Sequence, residues 1–238
     1  MTTAQFNFKG KTALITATSG IGLGIALALR DAGAKVIAAG LPPADMATLQ
    51  GLEYRALDVT DAASVNSLFG SLTQLDILVN AAGIIRRAAE HEPDVFEQVI
   101  DVNLNGSMRC CQAAKALLMQ SKGSVVNIAS MLSFFGGAHA PGYSASKGGV
   151  AQLTKSLANA WATQDVRVNA VAPGYIATAL TQALQDDPTK SGPIVARTPM
   201  GRWGTPADVA GPVLFLCSDA AAFVTGVILP VDGGYLVF

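Results

Sequence analysis

A chain of 238 residues, half of them hydrophobic and 14% charged, carries enough apolar side chains for one sizeable core. Its formal charge of −1, with no Lys/Arg run longer than Arg86–Arg87, argues against a nucleic-acid partner. Three cysteines, two of them adjacent (Cys110, Cys111), and two scattered histidines exclude a disulfide framework and offer no metal-ligand spacing. The chain does not open with a basic start and an apolar signal core. No stretch approaches the roughly 18 uncharged apolar residues of a membrane span. The expectation is a soluble, cytoplasmic protein.

In chain order, apolar runs of strand length alternate with longer stretches of helical period, the pattern of repeated strand–helix–strand units and a parallel sheet. The expected strands lie near Thr12–Thr16, Lys35–Ala39, Tyr54–Leu57, Asp76–Val79, Ser124–Ile128, Arg167–Val171 and Val227–Val231. The clearest helices are Val95–Met119, Tyr143–Trp161 and Pro206–Cys217, the last opening on a proline suited to a first helical position. The fold class is therefore α/β, a single Rossmann-type domain over residues 1–238: a doubly wound, seven-stranded parallel sheet with helices on both faces. From Pro173 to Thr205 the chain is rich in Gly, Pro and Thr without a clear period. A structureless stretch of that length in a compact domain is usually functional, and it reads as a substrate lid.

After the first strand, Ala17-Thr18-Ser19-Gly20-Ile21-Gly22-Leu23-Gly24 leads into a helix. Glycines at such a turn let the backbone approach a pyrophosphate, whose charge is met by exposed amides and the positive helix end. A glycine cluster alone serves any tight turn; its place after a first strand is what points to a dinucleotide. Further along, Tyr143 and Lys147, in the run YSASK, lie one helical turn apart, and Ser130 ends the apolar segment GSVVNIAS. A phenol, with a pKa of about 10, is a poor base at neutral pH unless a cation stabilises the phenolate. Residues four apart share a helix face, so the Lys147 ammonium can reach toward the phenol while Ser130 orients a substrate oxygen. That is chemistry for interconverting an alcohol and a carbonyl.

TATSGIG, LDVTD, NAAG (Asn80–Gly83), DVNLNG with Asn103, the set Ser130, Tyr143 and Lys147, and APGYIAT follow one another in this order. Together, over essentially the whole chain, they resemble the short-chain dehydrogenases/reductases. The resemblance implies a nicotinamide cofactor, no metal, and a catalytic set of Asn103, Ser130, Tyr143 and Lys147. Tyr143 would be the general acid/base and Ser130 would hydrogen-bond the reacting oxygen. Lys147 would lower the Tyr143 pKa and grip the nicotinamide ribose, and Asn103 would anchor a proton-relay water. Implied cofactor contacts are Thr16, Ser19, Gly20, Ile21 and Gly22 around the pyrophosphate, Asp58 and Val59 at the adenine, Asn80, Ala81, Ala82 and Gly83 on the adenosine side, and Pro173, Gly174, Ile176 and Thr178 at the carboxamide.

Two positions depart from the pattern. Ala17 stands where a glycine is usual, and the loop is one residue short. Alanine does not take a positive φ cheaply, so the turn is expected to follow another path, with weaker cofactor binding. At the end of the second strand, AAGLPPAD offers neither an acid for a ribose 2′-hydroxyl nor an arginine for a 2′-phosphate; Gly40 and Leu41 stand there. Without a cation to meet a 2′-phosphate, NAD is expected over NADP, with NADP left open.

NAAGIIRRA, IASMLSFFGG and GRWGTPADVAGPVLFL resemble more narrowly the subgroup of 2-deoxy-D-gluconate 3-dehydrogenases and 2-dehydro-3-deoxy-D-gluconate 5-dehydrogenases. This implies a sugar-acid substrate such as 2-dehydro-3-deoxy-D-gluconate. A carboxylate needs a cation, and Arg86 or Arg87, just past the fourth strand, is a candidate. Adjacent side chains diverge, so one of the two serves; the plainer alternative is a solvated pair or a subunit contact. His139, four residues before Tyr143, falls beside the expected substrate mouth or is simply a polar loop residue. Met131, Phe134, Phe135 and Trp203 read as pocket walls or as packing. Rival readings are a 3-oxoacyl thioester reductase with the same catalytic set and, from another class, a cofactor-binding regulatory protein with little turnover. The apolar ending VDGGYLVF is expected in a subunit interface, and the resemblance implies a homotetramer built on the helices of Asn103 and Tyr143.

Overall fold

Strand residues here alternate between two apolar layers. Ala13 and Ile15 pack into one core with Val36, Ala38, Ile77 and Val79, while Leu14 joins Ile37, Ala39 and Leu78 in a second. Burial on both faces is what makes the strands read as continuous apolar runs, and each fully buried Leu or Ile contributes about 1.5–3 kcal/mol. The computed structural model describes residues 6–43 and 45–237. Its strands are β1 (Thr12–Ile15), β2 (Lys35–Gly40), β3 (Glu53–Ala56), β4 (Ile77–Asn80), β5 (Ser124–Ile128), β6 (Arg167–Pro173) and β7 (Ile228–Val231). They form one sheet in the order β3-β2-β1-β4-β5-β6-β7. Every pairing is parallel. All seven expected strands form, shifted by a residue or two at their ends. The order reverses between β1 and β4, which opens a crevice at the carboxyl ends of those strands.

The helices are α1 (Gly20–Asp31), α2 (Ala62–Gly70), α3 (Pro93–Ile100), α4 (Gly106–Ser121), α5 (Pro141–Trp161), α6 (Gln182–Gln185), α7 (Pro188–Arg197) and α8 (Pro206–Cys217). Ile25 and Leu29 of α1 and Val213 and Leu216 of α8 fill the first core. Leu68 of α2, Cys110, Cys111 and Leu118 of α4, and Trp161 of α5 fill the second. Burial pushes the thiols of Cys110 and Cys111 up to about 12, so both act as packing residues. Among the described residues no helix is long and apolar enough to cross a membrane.

Two expectations need correction. The single helix expected over Val95–Met119 is α3 and α4 joined by a π-helical turn, Asp101–Asn105. The wider turn lets Asn103, fully buried, hold the Ile84 backbone by two hydrogen bonds, and such bulges are frequent at functional sites. The segment Pro173–Thr205 is not structureless: β6 runs to Pro173, and α6 and α7 follow. Asp187 caps α7 by accepting the Thr189 N–H, with Pro188 at its first position. Gly192 and Pro193 inside the helix hid that signal. The C-terminal tail, separately, is partly packed within its own chain. Tyr235 is buried, its ring 6.3 Å from Phe135 and 5.4 Å from Tyr175, while Val237 stays exposed.

Candidate active site

Ser130 lies just beyond β5, and Tyr143 and Lys147 sit in the first turns of α5. The Ser130 side chain faces the Tyr143 hydroxyl, and its Oγ accepts the Leu132 N–H at 3.1 Å. Ser133 Oγ accepts the Ser130 N–H at 3.2 Å and donates to the Lys147 carbonyl at 2.7 Å, tying strand end to helix. Asn103 Nδ2 donates to the Ile84 carbonyl at 2.9 Å and to Ser146 Oγ at 3.0 Å; Ser146 Oγ donates in turn to the Tyr143 carbonyl at 2.8 Å. The four expected catalytic residues are therefore brought together, with Ser133 and Ser146 as supports that single-residue motifs gave no reason to notice.

Lys147 Nζ donates to the Ile128 carbonyl at 2.6 Å and lies 5.6 Å from the Tyr143 ring centroid. Burial lowers its pKa to about 8. For Tyr143 burial dominates and raises the phenol, against the Ser130 hydrogen bond and the nearby Arg87 charge, which lower it. The Lys147 ammonium thus binds the Ile128 carbonyl and sits beside the Tyr143 ring. A half-buried phenol whose pKa is above the ordinary value holds its proton at neutral pH and can donate it to a developing alkoxide.

On the cofactor side, α1 begins at Gly20, its Ser19 cap makes no side-chain capping bond, and its first turn holds no acidic residue. Its leading amides and positive end are therefore suited to a phosphate. Thr16 Oγ1 accepts the N–H groups of Ala81 and Ala82, which joins the glycine loop to the NAAG segment. Ala17 does not adopt a positive φ; Gly20 carries it, at +57°. A Cβ on Gly22 would fall 2.3 Å from the Ala17 Cβ, so in this shortened loop the alanine methyl fills the space beside Gly22. A Cβ on Gly20 would lie 3.8 Å from Thr178, which brings the segment after β6 against the α1 N-terminus. Ile21 and Ala81 pack on the first core and Ile176 is buried within it. A Cβ on Gly83 would lie 3.3 Å from Asn103 Oδ1 and 3.7 Å from Lys147 Nζ, and Gly174 runs against Asp232. A cradle of backbone and small residues around an uncapped helix start fits a dinucleotide.

Two of the expected contact residues have distinct surroundings. The Asn80 side chain is buried, its Nδ2 donating to Asn127 Oδ1 at 2.8 Å and to Cys111 Sγ, which ties β4 to β5 and α4 and leaves its Oδ1 without a partner among the described residues. Asp58 is exposed. Hydrogen bonds from Thr60 keep its carboxyl below the ordinary range, while Asp61 caps α2. Val59 packs on Gly106 of α4.

Arg86 and Arg87 are exposed on the loop after β4. Arg86 turns back to the Ile85 carbonyl at 3.4 Å. The Arg87 charge is felt at the phenols of both Tyr143 and Tyr175. His139 is exposed, and its backbone carbonyl, accepting the Ala88 N–H at 2.7 Å, is what it contributes here. Arg197 of α7 went unnoticed in the sequence. It stacks 4.2 Å over the Tyr235 ring and donates to its hydroxyl, within an aromatic wall of Phe135, Tyr175, Trp203 and Tyr235. No periodicity could have signalled it, since its neighbours come from remote segments.

A phosphate-ready helix start at a switch point, beside a half-buried phenol, a serine and a lysine, defines a nucleotide-dependent oxidoreductase. The family model described as enoyl-(acyl carrier protein) reductase matches residues 15–236. A 2-dehydro-3-deoxy-D-gluconate 5-dehydrogenase of Pseudoalteromonas atlantica is 43% identical over 249 aligned positions, covering 98% of this chain and 98% of that protein. A solved structure described as a proposed 2-deoxy-D-gluconate 3-dehydrogenase of Agrobacterium tumefaciens, with bound NADP, superposes with a TM-score of 0.91 at 44% identity, covering 98% and 99% of the two chains. A gluconate 5-dehydrogenase of Burkholderia cenocepacia, in complex with NADP and tartrate, superposes at 0.91 with 34% identity and 99% coverage of each. The chain belongs to the short-chain dehydrogenase/reductase family. It is an NAD(P)-dependent enzyme that interconverts an alcohol and a ketone.

Proposed function

We propose that the enzyme acts on a sugar acid of the 2-dehydro-3-deoxy-D-gluconate type, and that Arg87 meets the substrate carboxylate. The observation that carries this is a solvent-facing guanidinium close enough for its charge to act on both Tyr143 and Tyr175. The named activities of the relatives point the same way. When bound, the nicotinamide supplies or accepts the hydride. The protein's residues do the rest. Ser130 holds the reacting oxygen, Tyr143 gives or takes its proton, Lys147 orders the ribose side, and Asn103 anchors the relay through the Ile84 backbone. Ser19, Gly20, Ile21 and Gly22 cradle the pyrophosphate, Asp58 and Val59 border the adenine, and Thr178 with the Ile176 backbone borders the carboxamide. The segment 173–205, through α6 and α7, is the lid.

NAD is the proposed preference, since Gly40 and Leu41 at the end of β2 bring no cation to a 2′-phosphate; the NADP held by two relatives speaks for the phosphorylated form. A homotetramer through α4 and α5, working in the cytoplasm, completes the proposal. The test is a panel of 2-keto-3-deoxy sugar acids, simple ketones and 3-oxoacyl thioesters, with NAD(H) and NADP(H) in parallel, followed by the absorbance of the reduced nicotinamide. Turnover confined to sugar acids supports the reading. Preferred turnover of thioesters overturns it and leaves Arg87 without a role.

A further inference from the structure

Glu90 is 1% exposed, a buried carboxylate in the loop that carries Arg86 and Arg87. Its Oε1 accepts the Arg86 N–H at 2.6 Å and its Oε2 accepts the Tyr143 N–H at 2.7 Å. The second bond answers a need of α5. That helix starts at Pro141 after Ala140, which has no capping side chain, so the Tyr143 amide in the first turn has no partner from its own segment. Glu90 caps the helix from a distance, with a negative charge at the positive end. Glycine at 142 keeps the approach open, since a Cβ there would lie 3.4 Å from Glu90 Oε2 and 3.2 Å from Phe96 Cδ2.

The same two segments are joined twice more. The Ala88 N–H donates to the His139 carbonyl at 2.7 Å, and His91 Nε2 bonds the Ala138 carbonyl at 3.1 Å. At the first of these joints Ala88 is held at φ +66°, ψ −35°. A non-glycine residue in that region persists only where its surroundings over-determine it. The loop behind Arg87 is thus a strained strap fastened to the start of the catalytic helix, and Glu90 is its buried rivet.

We propose that Glu90 is a positioning residue that fixes the Arg87 loop against the first turn of α5, and so sets the distance between the substrate's charged end and the Tyr143 hydroxyl. This rests on the roles given above to Tyr143 and Arg87. The groups facing Tyr143 are Ser130 from the strand end, Arg87 and Glu90 from the loop, and Lys147 from its own helix. Removing the Glu90 charge leaves Arg87 unopposed, so the phenol ionises more readily and the acidic limb of the pH profile for alcohol oxidation moves to lower pH.

The experiment compares wild type, Glu90→Gln, Glu90→Asp and Tyr143→Phe, using whichever alcohol the wild type oxidises. An amide cannot accept both N–H groups. Glu90→Gln is expected to lose about 10- to 100-fold in kcat, with a raised substrate KM, unchanged cofactor affinity and the acidic limb shifted down. Glu90→Asp keeps the charge but is one methylene short; it is expected to lose kcat with the limb in place, and it carries the test if the glutamine variant does not fold. Wild-type kcat, KM and pH profile in a folded Glu90 variant, with only a lowered Tm, overturn the proposal. If Tyr143→Phe is inactive in that case, the catalytic reading stands and the role of Glu90 alone fails. If Tyr143→Phe is itself fully active, the reading beneath the proposal fails with it.

Discussion

Lys147 is a buried ammonium whose hydrogen-bond partner among the described residues is a backbone carbonyl. With a folded-state pKa of about 8 against about 10.4 in the unfolded chain, it is charged in both states below pH 8, where the cost of burying it is present in full. Between the two values only the unfolded state holds the proton, so this cost fades as pH rises. Lys147→Met is therefore expected to abolish turnover while matching or exceeding the wild-type Tm at pH 7, with the advantage shrinking toward pH 10 in paired melts. A gain that grows with pH would contradict the sign. At the substrate end, Arg87→Ala removes a charge-assisted contact of about 1.5–3 kcal/mol and is expected to raise KM for a sugar acid about 10- to 100-fold. Arg86→Ala, whose side chain turns back on its own loop, should change little. Equal effects in steady-state kinetics would remove the distinction between the two arginines.

Among the elements, the shortened glycine loop makes the clearest prediction. The Ala17 methyl and the missing Gly22 methyl compete for one space, 2.3 Å apart if both were present. Gly22→Ala alone should weaken cofactor binding and lower Tm, Ala17→Gly should cost little, and the double variant should recover much of the loss. A double-mutant cycle with no coupling would show that the two positions do not share the space. This loop also marks how far the sequence could be read. The glycines, their place after β1 and the departure at Ala17 were all visible, but the sequence did not reveal that Gly20 could carry the positive φ in place of Ala17. The inner strands were legible because burial on both faces leaves unbroken apolar runs, which the edge strand β3, Glu53–Ala56, lacks. The π turn at Asn103 was not, since nothing in DVNLNG distinguishes a widened turn from a regular one; the buried bonds to Ile84 decide it. Likewise Ser130, Tyr143 and Lys147 declare themselves by type and spacing. Glu90, Ser133 and Arg197 matter through partners remote in sequence.

For the whole molecule, the cofactor crevice lies between segments drawn from β1, β4, β6 and their following loops, so binding should tighten the entire fold. A cofactor at 100 times its Kd stabilises by about 2.7 kcal/mol through linkage. Thermal melts should show a clear rise in Tm on adding it, retained in Tyr143→Phe and diminished in Gly22→Ala. The most direct test of the central claim, that Tyr143 moves the substrate proton, is single-turnover hydride transfer in Tyr143→Phe with cofactor affinity measured on the same sample. The expected result is a loss of about 10²- to 10⁴-fold in rate with affinity unchanged. Hydride transfer at the wild-type rate would contradict the account.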